Sequence, residues 1–328
     1  MRTPHLRLVL LLSLIIAAVA LAACGDDDDD GGDTGGGATT AAPAAAIQRD
    51  DANAKTTITV GSKNFTEQKV LGEVYAQALA AGGYTVRKEL NLGDEQTALK
   101  SLKGGDVDAY PEYTGTALLS FFDVKTEDLP KDAGAAYEQV KRDFAKDGIV
   151  AEPPTPFTSS NEVAVTKATA QKHGLTKISD LSKVAGQLSL YGSPECRQRL
   201  DCLLGLQQVY GLKFKRFVPV ELSQRSKVLS DGQADVSIVF TTDPQNKRDG
   251  FVLLQDDKGM FPPYNSTLLV RDATAKAAGP DLTKIIEAVN AKLDASVIQE
   301  LNARVDLDKE TPEQAAREYL QQFGLIAK

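Results

Sequence analysis

The chain has no tryptophan, only two histidines and only three cysteines. A histidine-based zinc site or a histidine-driven catalytic network has almost nothing to work with. No cluster of lysine and arginine occurs and the net charge is −8, so a nucleic-acid partner is not expected. There is no nucleophile elbow, no metal-ligand cluster and no phosphate-cradling glycine loop, so no cofactor or resident metal is expected and an enzyme is disfavoured. The longest apolar run, Leu8 to Ala23, is broken by Ser13 and falls short of the roughly 20 residues a membrane-spanning helix needs. What is present is ordinary for a globular protein. Hydrophobic residues make up 42% and charged residues 25% of 328 positions, enough for two lobes with real cores.

Arg2 and Arg7 precede the apolar run, which ends in Leu21-Ala22-Ala23-Cys24-Gly25. A positive start, a short apolar stretch and small residues before a cleavage point read as an export signal. The ending resembles the lipobox of bacterial lipoproteins. That resemblance implies a signal peptide over 1–24, lipidation of Cys24 and an extracytoplasmic protein anchored to the membrane. The alternative is an ordinary secretory signal with an incidental Cys24. Residues 25–55 open with the acidic run Asp26 to Asp30 and continue in Gly, Thr and Ala. Such a segment reads as a disordered tether. Consecutive aspartates lack the spaced ligands of a calcium loop. In an oxidising compartment Cys196 and Cys202 are expected to form a short-loop disulfide. A metal pair is the alternative, with no neighbouring His or Cys to complete it.

From Thr57 onward the pattern alternates between strand and helix. Thr57 to Val60 reads as a strand. Asn64 and Glu67 make a possible capping box, before apolar residues at helical spacing from Val70 to Leu79. Val86 to Leu90 and Asp106 to Tyr110 read as strands, with a helix around Leu99 between them. After Pro153, Pro154 and Pro156 the pattern restarts. Strands are expected at Val163–Thr166, Leu188–Tyr191, Phe214–Val220 and Ala234–Phe240. Helices are expected at Ile178–Val184, Leu203–Tyr210 and Ser223–Leu229, and a helical tail over 281–322. This is the grammar of two parallel α/β units, with lobe 1 over 56–155 plus 255–328, lobe 2 over 156–254, and chain crossings near 154–158 and 250–256.

Ligands in such folds sit at the carboxyl ends of strands and between domains. Four loops therefore matter. Gly61 to Gln68 offers Lys63 and a helix start. Tyr110 to Thr116 packs two tyrosines and two threonines into a few residues. Tyr191 to Arg199 holds Glu195 and Arg199 beside the cysteines. Phe240 to Asp243 follows an apolar strand, and Phe261-Pro262-Pro263-Tyr264 adds an aromatic on a stiff backbone. Each alone has a plainer reading as a capped helix, a core aromatic or a surface charge.

In this order and spacing, over about 57–325, these runs resemble the glycine betaine/choline/carnitine-binding proteins of osmoprotectant ABC importers. The resemblance implies a bilobal, type II periplasmic-binding-protein-like α/β fold whose two lobes, joined by two hinge crossings, close on the ligand. It implies a small quaternary-ammonium solute, a separate ABC permease with its ATPase, and a monomer. Carried over by motif, Tyr113, Phe240 and Tyr264 form an aromatic wall, and Lys63, Thr116 and Arg199 hold a carboxylate. The sequence departs from the pattern twice. Asn161 stands where many relatives have Tyr, as a possible ligand-lining residue, and Phe240 keeps a ring without the hydroxyl. Three rings are thus expected rather than four. The chemistry agrees, because a quaternary ammonium has no N–H and only ring faces can select it. Two cations suit a zwitterion such as glycine betaine better than bare choline. Carnitine or another small cationic or zwitterionic solute is the alternative.

Overall fold

The computed structural model describes residues 46–328. The export signal, Cys24 and most of the expected tether lie outside the described residues. The expected tether does not extend to 55, because residues 46–55 belong to the folded body. Ala46 and Ile47 donate backbone hydrogen bonds to the carbonyls of Gly324 and Leu325 (2.8 and 3.0 Å), and a 3₁₀ turn covers Asp51–Lys55. Ile47 supplies the reason, because its side chain joins the main apolar core.

In chain order the first lobe begins β1 (Thr57–Ser62), α1 (Thr66–Ala81), β2 (Thr85–Leu90), α2 (Glu95–Gly104), β3 (Ala109–Tyr113), α3 (Thr114–Ser120), α4 (Ala133–Lys146) and β4 (Ile149–Ala151). The second lobe follows as β5 (Asn161–Val165), α5 (Lys167–His173), β6 (Ser189–Gly192), α6 (Leu203–Gln208), β7 (Arg216–Pro219), α7 (Arg225–Ser230), β8 (Val236–Phe240), α8 (Gln245–Arg248) and β9 (Val252–Leu254). The chain then returns through β10 (Ser266–Arg271), α9 (Asp272–Ala278), α10 (Pro280–Asn290), α11 (Ala295–Asp306) and α12 (Pro312–Gln322).

Each lobe is built on a five-stranded sheet, ordered β2-β1-β3-β10-β4 in the first and β7-β6-β8-β5-β9 in the second. The sheets are mixed, not purely parallel as the alternating pattern implied. β10 runs antiparallel to β3 and β4, and β5 runs antiparallel to β8 and β9. The crossings cause this. β5 is the first strand after the chain enters the second lobe, β10 the first after it returns. Each enters its sheet against the direction of the resident strands.

Apolar side chains alternate between the two faces of each sheet, as strand geometry requires. On β10, Leu268 and Val270 join one core while Leu269 joins the other. On β5, Val163 and Val165 face one core and Ala164 the opposite one. Among the described residues no helix is long and apolar enough to cross a membrane.

Three local expectations are corrected. Phe65, not Asn64, is the N-cap of α1, and no side chain caps that helix. Glu67 is buried and committed elsewhere, accepting the Tyr113 hydroxyl (2.6 Å) and Asn302 Nδ2 (2.8 Å). The helix expected at Ile178–Val184 is a 3₁₀ run over Ile178–Lys183. The second crossing does not lie at 250–256. That stretch contains β9, and Gln255 bridges to Lys177 within the second lobe. The crossings meet further on, where Thr158 pairs antiparallel with Asn265. Asn265 Nδ2 also donates to the carbonyls of Thr155 and Phe157 (3.0 and 3.1 Å). The linker is thus a narrow two-stranded ribbon.

Candidate functional site

The strand ends deliver the expected side chains to one place. Lys63 follows β1, Tyr113 ends β3, Asn161 opens β5 and Phe240 ends β8. Tyr110 to Thr116 is not a loop. It is strand β3 running directly into α3, with Thr116 in the first helical turn. Tyr264 arrives on the returning crossing strand, and its ring lies against the start of α3. That approach is open because residue 115 is glycine: a Cβ there would meet the Tyr264 ring at 2.6 Å. Lys63, Tyr113, Thr116, Asn161, Arg199, Phe240 and Tyr264 all line a cavity of about 140 Å³ between the lobes.

Its electrostatics differ from the sequence expectation. Lys63 Nζ donates to Glu112 Oε1, and both side chains are buried. The Glu112 carboxylate also accepts the Tyr113 backbone N–H (2.7 Å) and the Tyr110 hydroxyl (3.1 Å). Arg199 binds Asp201 through two parallel hydrogen bonds, from Nε (2.8 Å) and Nη2 (2.7 Å). Its Nη1 reaches across the cleft to Glu95 Oε1 at 2.6 Å. Asp201 is a hub, accepting also from the Tyr264 hydroxyl and from Asn161 Nδ2 (3.0 Å). Burial opposes ionisation of Asp201, but Arg199 and Tyr264 hold its carboxyl below the usual range. Burial pushes the Tyr113 and Tyr264 hydroxyls well above theirs, with Glu67 and Asp201 adding to it. Both tyrosines are therefore neutral donors. The cations expected to seize a ligand carboxylate are thus already matched by protein carboxylates. The Thr116 side chain, in contrast, makes no hydrogen bond to the described residues.

Two residues escaped the sequence reading. Phe65 supplies a fourth ring, its centre 6.4 Å from that of Tyr113 and 5.3 Å from that of Phe240. It sat in the Gly61 to Gln68 run, hidden between a cation and a helix start. Arg225, the first residue of α7, lies with its guanidinium 3.9 Å from the Phe240 ring centre. Its only sequence signal was its position after a strand, shared with many surface arginines. Asp94, Glu95, Glu195 and Glu221 also line the cavity, against three cations, Lys63, Arg199 and Arg225. Cys196 and Cys202 form a disulfide that brackets Arg199 and Asp201. Among the described residues no cluster of three or more metal-ligating side chains occurs.

Two α/β lobes, a double crossing and an aromatic, charged cavity between them define a bilobal solute-binding protein of type II. The chain belongs to the family of substrate-binding domains of ABC-type glycine betaine transport systems, whose sequence profile matches residues 56–322. It is 31% identical over 281 residues to a glycine-betaine-binding protein of Pseudomonas aeruginosa, covering 82% of this chain and 89% of that one. It is 28% identical over 275 residues to the ergothioneine transport permease/ergothioneine binding protein EgtU of Helicobacter pylori, covering 82% of this chain but only 48% of that one. A crystal structure titled glycine betaine/carnitine/choline ABC transporter shares the fold, with a TM-score of 0.67, 23% identity, and coverage of 81% of this chain and 99% of that one.

Proposed function

We propose that this chain captures a quaternary-ammonium osmolyte of the glycine betaine type between its lobes and delivers it to a separate ABC permease. Binding, not catalysis, is its task. Lipidation at Cys24 holds the protein to the outer face of the cell membrane, where it works as a monomer. The observation that carries the reading is the ring set of Phe65, Tyr113, Phe240 and Tyr264 in one interlobe cavity. Ring faces attract a trimethylammonium group by about 0.5–1 kcal/mol each when exposed and about 2 when desolvated. Three or four of them supply most of a micromolar affinity, about −8 kcal/mol. A cavity of about 140 Å³ suits a solute of roughly six to eight non-hydrogen atoms, judged against a cavity of similar size that takes benzene. The P. aeruginosa relative is named for such a solute. Lys63, Thr116 and Arg199 form the polar lining of the site. Because two of them are matched by Glu112, Asp201 and Glu95, the ligand carboxylate needs a further partner.

That same matching, with four carboxylates lining the cavity, favours choline as the second reading. Calorimetric titration of the body from residue 46 onward with glycine betaine, choline, carnitine and ergothioneine tests both. Saturable betaine binding that weakens on Tyr113→Ala supports the first reading. Choline binding without betaine binding supports the second. No binding of any of them refutes the quaternary-ammonium assignment.

A further inference from the structure

Helix α11 packs on the first lobe with one face and touches the second lobe with another. Ile298, Leu301 and Val305 join the first-lobe core. Gln299, Asn302 and Asp306 repeat the same helical spacing one position further on, and each meets the segment that follows β8. Gln299 Nε2 donates to the Thr241 carbonyl (3.3 Å), and Asn302 Nδ2 to the Thr242 carbonyl (3.3 Å). Asp306 Oδ2 accepts from Gln245 Nε2 (3.2 Å). None of these residues lines the ligand cavity, so they join the lobes without touching the solute.

Asn302 does more than its two neighbours. It is 3% exposed, and its Nδ2 also donates to Glu67 Oε2 at 2.8 Å. The other oxygen of Glu67 accepts the Tyr113 hydroxyl at 2.6 Å. One buried chain of hydrogen bonds therefore runs from the wall tyrosine through Glu67 and Asn302 into the second lobe. It arrives two residues after Phe240, the wall ring of that lobe. The Thr242 hydroxyl carries it on to Ser159 Oγ (2.9 Å), at the end of the first crossing. Asn302 Oδ1 has no hydrogen-bond partner among the described residues. The amide is thus oriented by the two acceptors on its nitrogen, and both of its N–H groups are used.

The links of this chain have different fates when the lobes part. Tyr113, Glu67 and Asn302 all belong to the first lobe and stay together. The Thr242 carbonyl belongs to the second lobe and leaves with it. Buried hydrogen bonds in series orient and strengthen one another. Closure therefore gives Asn302 its second acceptor, which fixes the Glu67 carboxylate and, through it, the Tyr113 ring. Resting on the quaternary-ammonium reading, we infer that Asn302 is a positioning residue that couples lobe closure to the setting of the ring wall. The two parts of Tyr113 then have separate tasks. Its ring face attracts the ammonium group, and its hydroxyl ties that ring to the closed arrangement of the lobes.

The test is a double-mutant cycle read by calorimetric titration with glycine betaine and with choline. It uses wild type, Tyr113→Phe, Asn302→Leu and the variant carrying both. Tyr113→Phe keeps the ring face and removes only the hydroxyl. Asn302→Leu keeps a side chain of similar size and removes both hydrogen bonds. For each amine that the wild type binds, either single change is expected to lower affinity about tenfold, as loss of one charge-assisted bond does. The double variant is expected to lose about tenfold as well, because both changes break the same chain. Melting temperatures verify folding, and Asn302→Ala takes the place of Asn302→Leu in the cycle if the leucine variant does not fold. Losses that multiply to about a hundredfold in the double variant would show two independent contributions and overturn the inference. So would full affinity in either single variant. A wild type that binds neither amine refutes the parent reading, and this inference falls with it.

Discussion

Glu95 and Arg199 make a contact that exists only when the lobes are together. Glu95 begins α2 of the first lobe, and Arg199 belongs to the second. Their hydrogen bond is 2.6 Å long, with the side chains 13% and 19% exposed. Of the three Arg199 hydrogen bonds it is the one that spans the cleft, because the other two stay with Asp201. Glu95→Ala therefore leaves the guanidinium neutralised and deletes one charge-assisted bond, worth about 1.5–3 kcal/mol. Since every 1.4 kcal/mol is tenfold, the closed, liganded form should lose affinity by about 10- to 100-fold. Glu95→Gln keeps a neutral acceptor, roughly half as strong, and should lose about fivefold. Calorimetry reads the affinity, and small-angle scattering with and without ligand reads the closure. The expected signature is weaker binding together with a larger ligand-free radius of gyration. Weaker binding with unchanged dimensions in both states would refute the reasoning, because Glu95 would then act on the solute and not between the lobes.

Three further outcomes are expected. Gly115→Ala places a Cβ 2.6 Å from the Tyr264 ring, so the ring must move off α3. Affinity for every quaternary amine should drop at least tenfold with little change in melting temperature, as a titration and a thermal scan would show. Burial, with Asp256 adding to it, pushes the Glu162 carboxyl from 4.5 up to about 7. Below 4.5 the group is protonated in both folded and unfolded chains and has no effect. As pH rises from 4.5 to about 7 the unfolded chain gives up the proton while the folded state keeps it, so stability falls by about 3 kcal/mol and stays lower above 7. Glu162→Gln should flatten denaturant-measured stability between pH 4.5 and 7 and raise it at pH 8, and an unchanged pH profile would contradict this. Cys196 and Cys202 close a short loop with a separation of 6 residues. Replacing both by serine should cost about 2 kcal/mol of stability on chain-entropy grounds. It should also weaken ligand binding by loosening Arg199, and a melting temperature unmoved by reductant or by the double substitution would count against this.

Much of the architecture was legible in the residues because it rests on local periodicity. Helical spacing from Val70 to Leu79, the apolar strands from Thr57 and up to Phe240, and the proline-rich crossing at 153–156 each declare themselves within a few residues. β10 did not, although it lies at the heart of the first sheet. Its partners β3 and β4 are far away in sequence, and only long-range pairing makes Ser266–Arg271 a strand. The three-residue β4 and β9 are too short to show an alternation at all.

For the site, the sequence by itself determined the ordered motifs whose family resemblance named Lys63, Tyr113, Thr116, Asn161, Arg199, Phe240 and Tyr264, all of which line one cavity. Strand direction was not legible, because β5 and β10 enter their sheets antiparallel. Only the tertiary structure decided what each of those groups is free to do. Lys63 and Arg199 read as waiting cations until Glu112, Asp201 and Glu95 appear beside them. Phe65 reads as part of a helix start until its ring is seen between Tyr113 and Phe240. Arg225 draws no notice in the sequence until it is found buried, with its guanidinium against the Phe240 ring. Charge is written in the sequence, but whether a charge is already neutralised depends on neighbours brought together from both lobes.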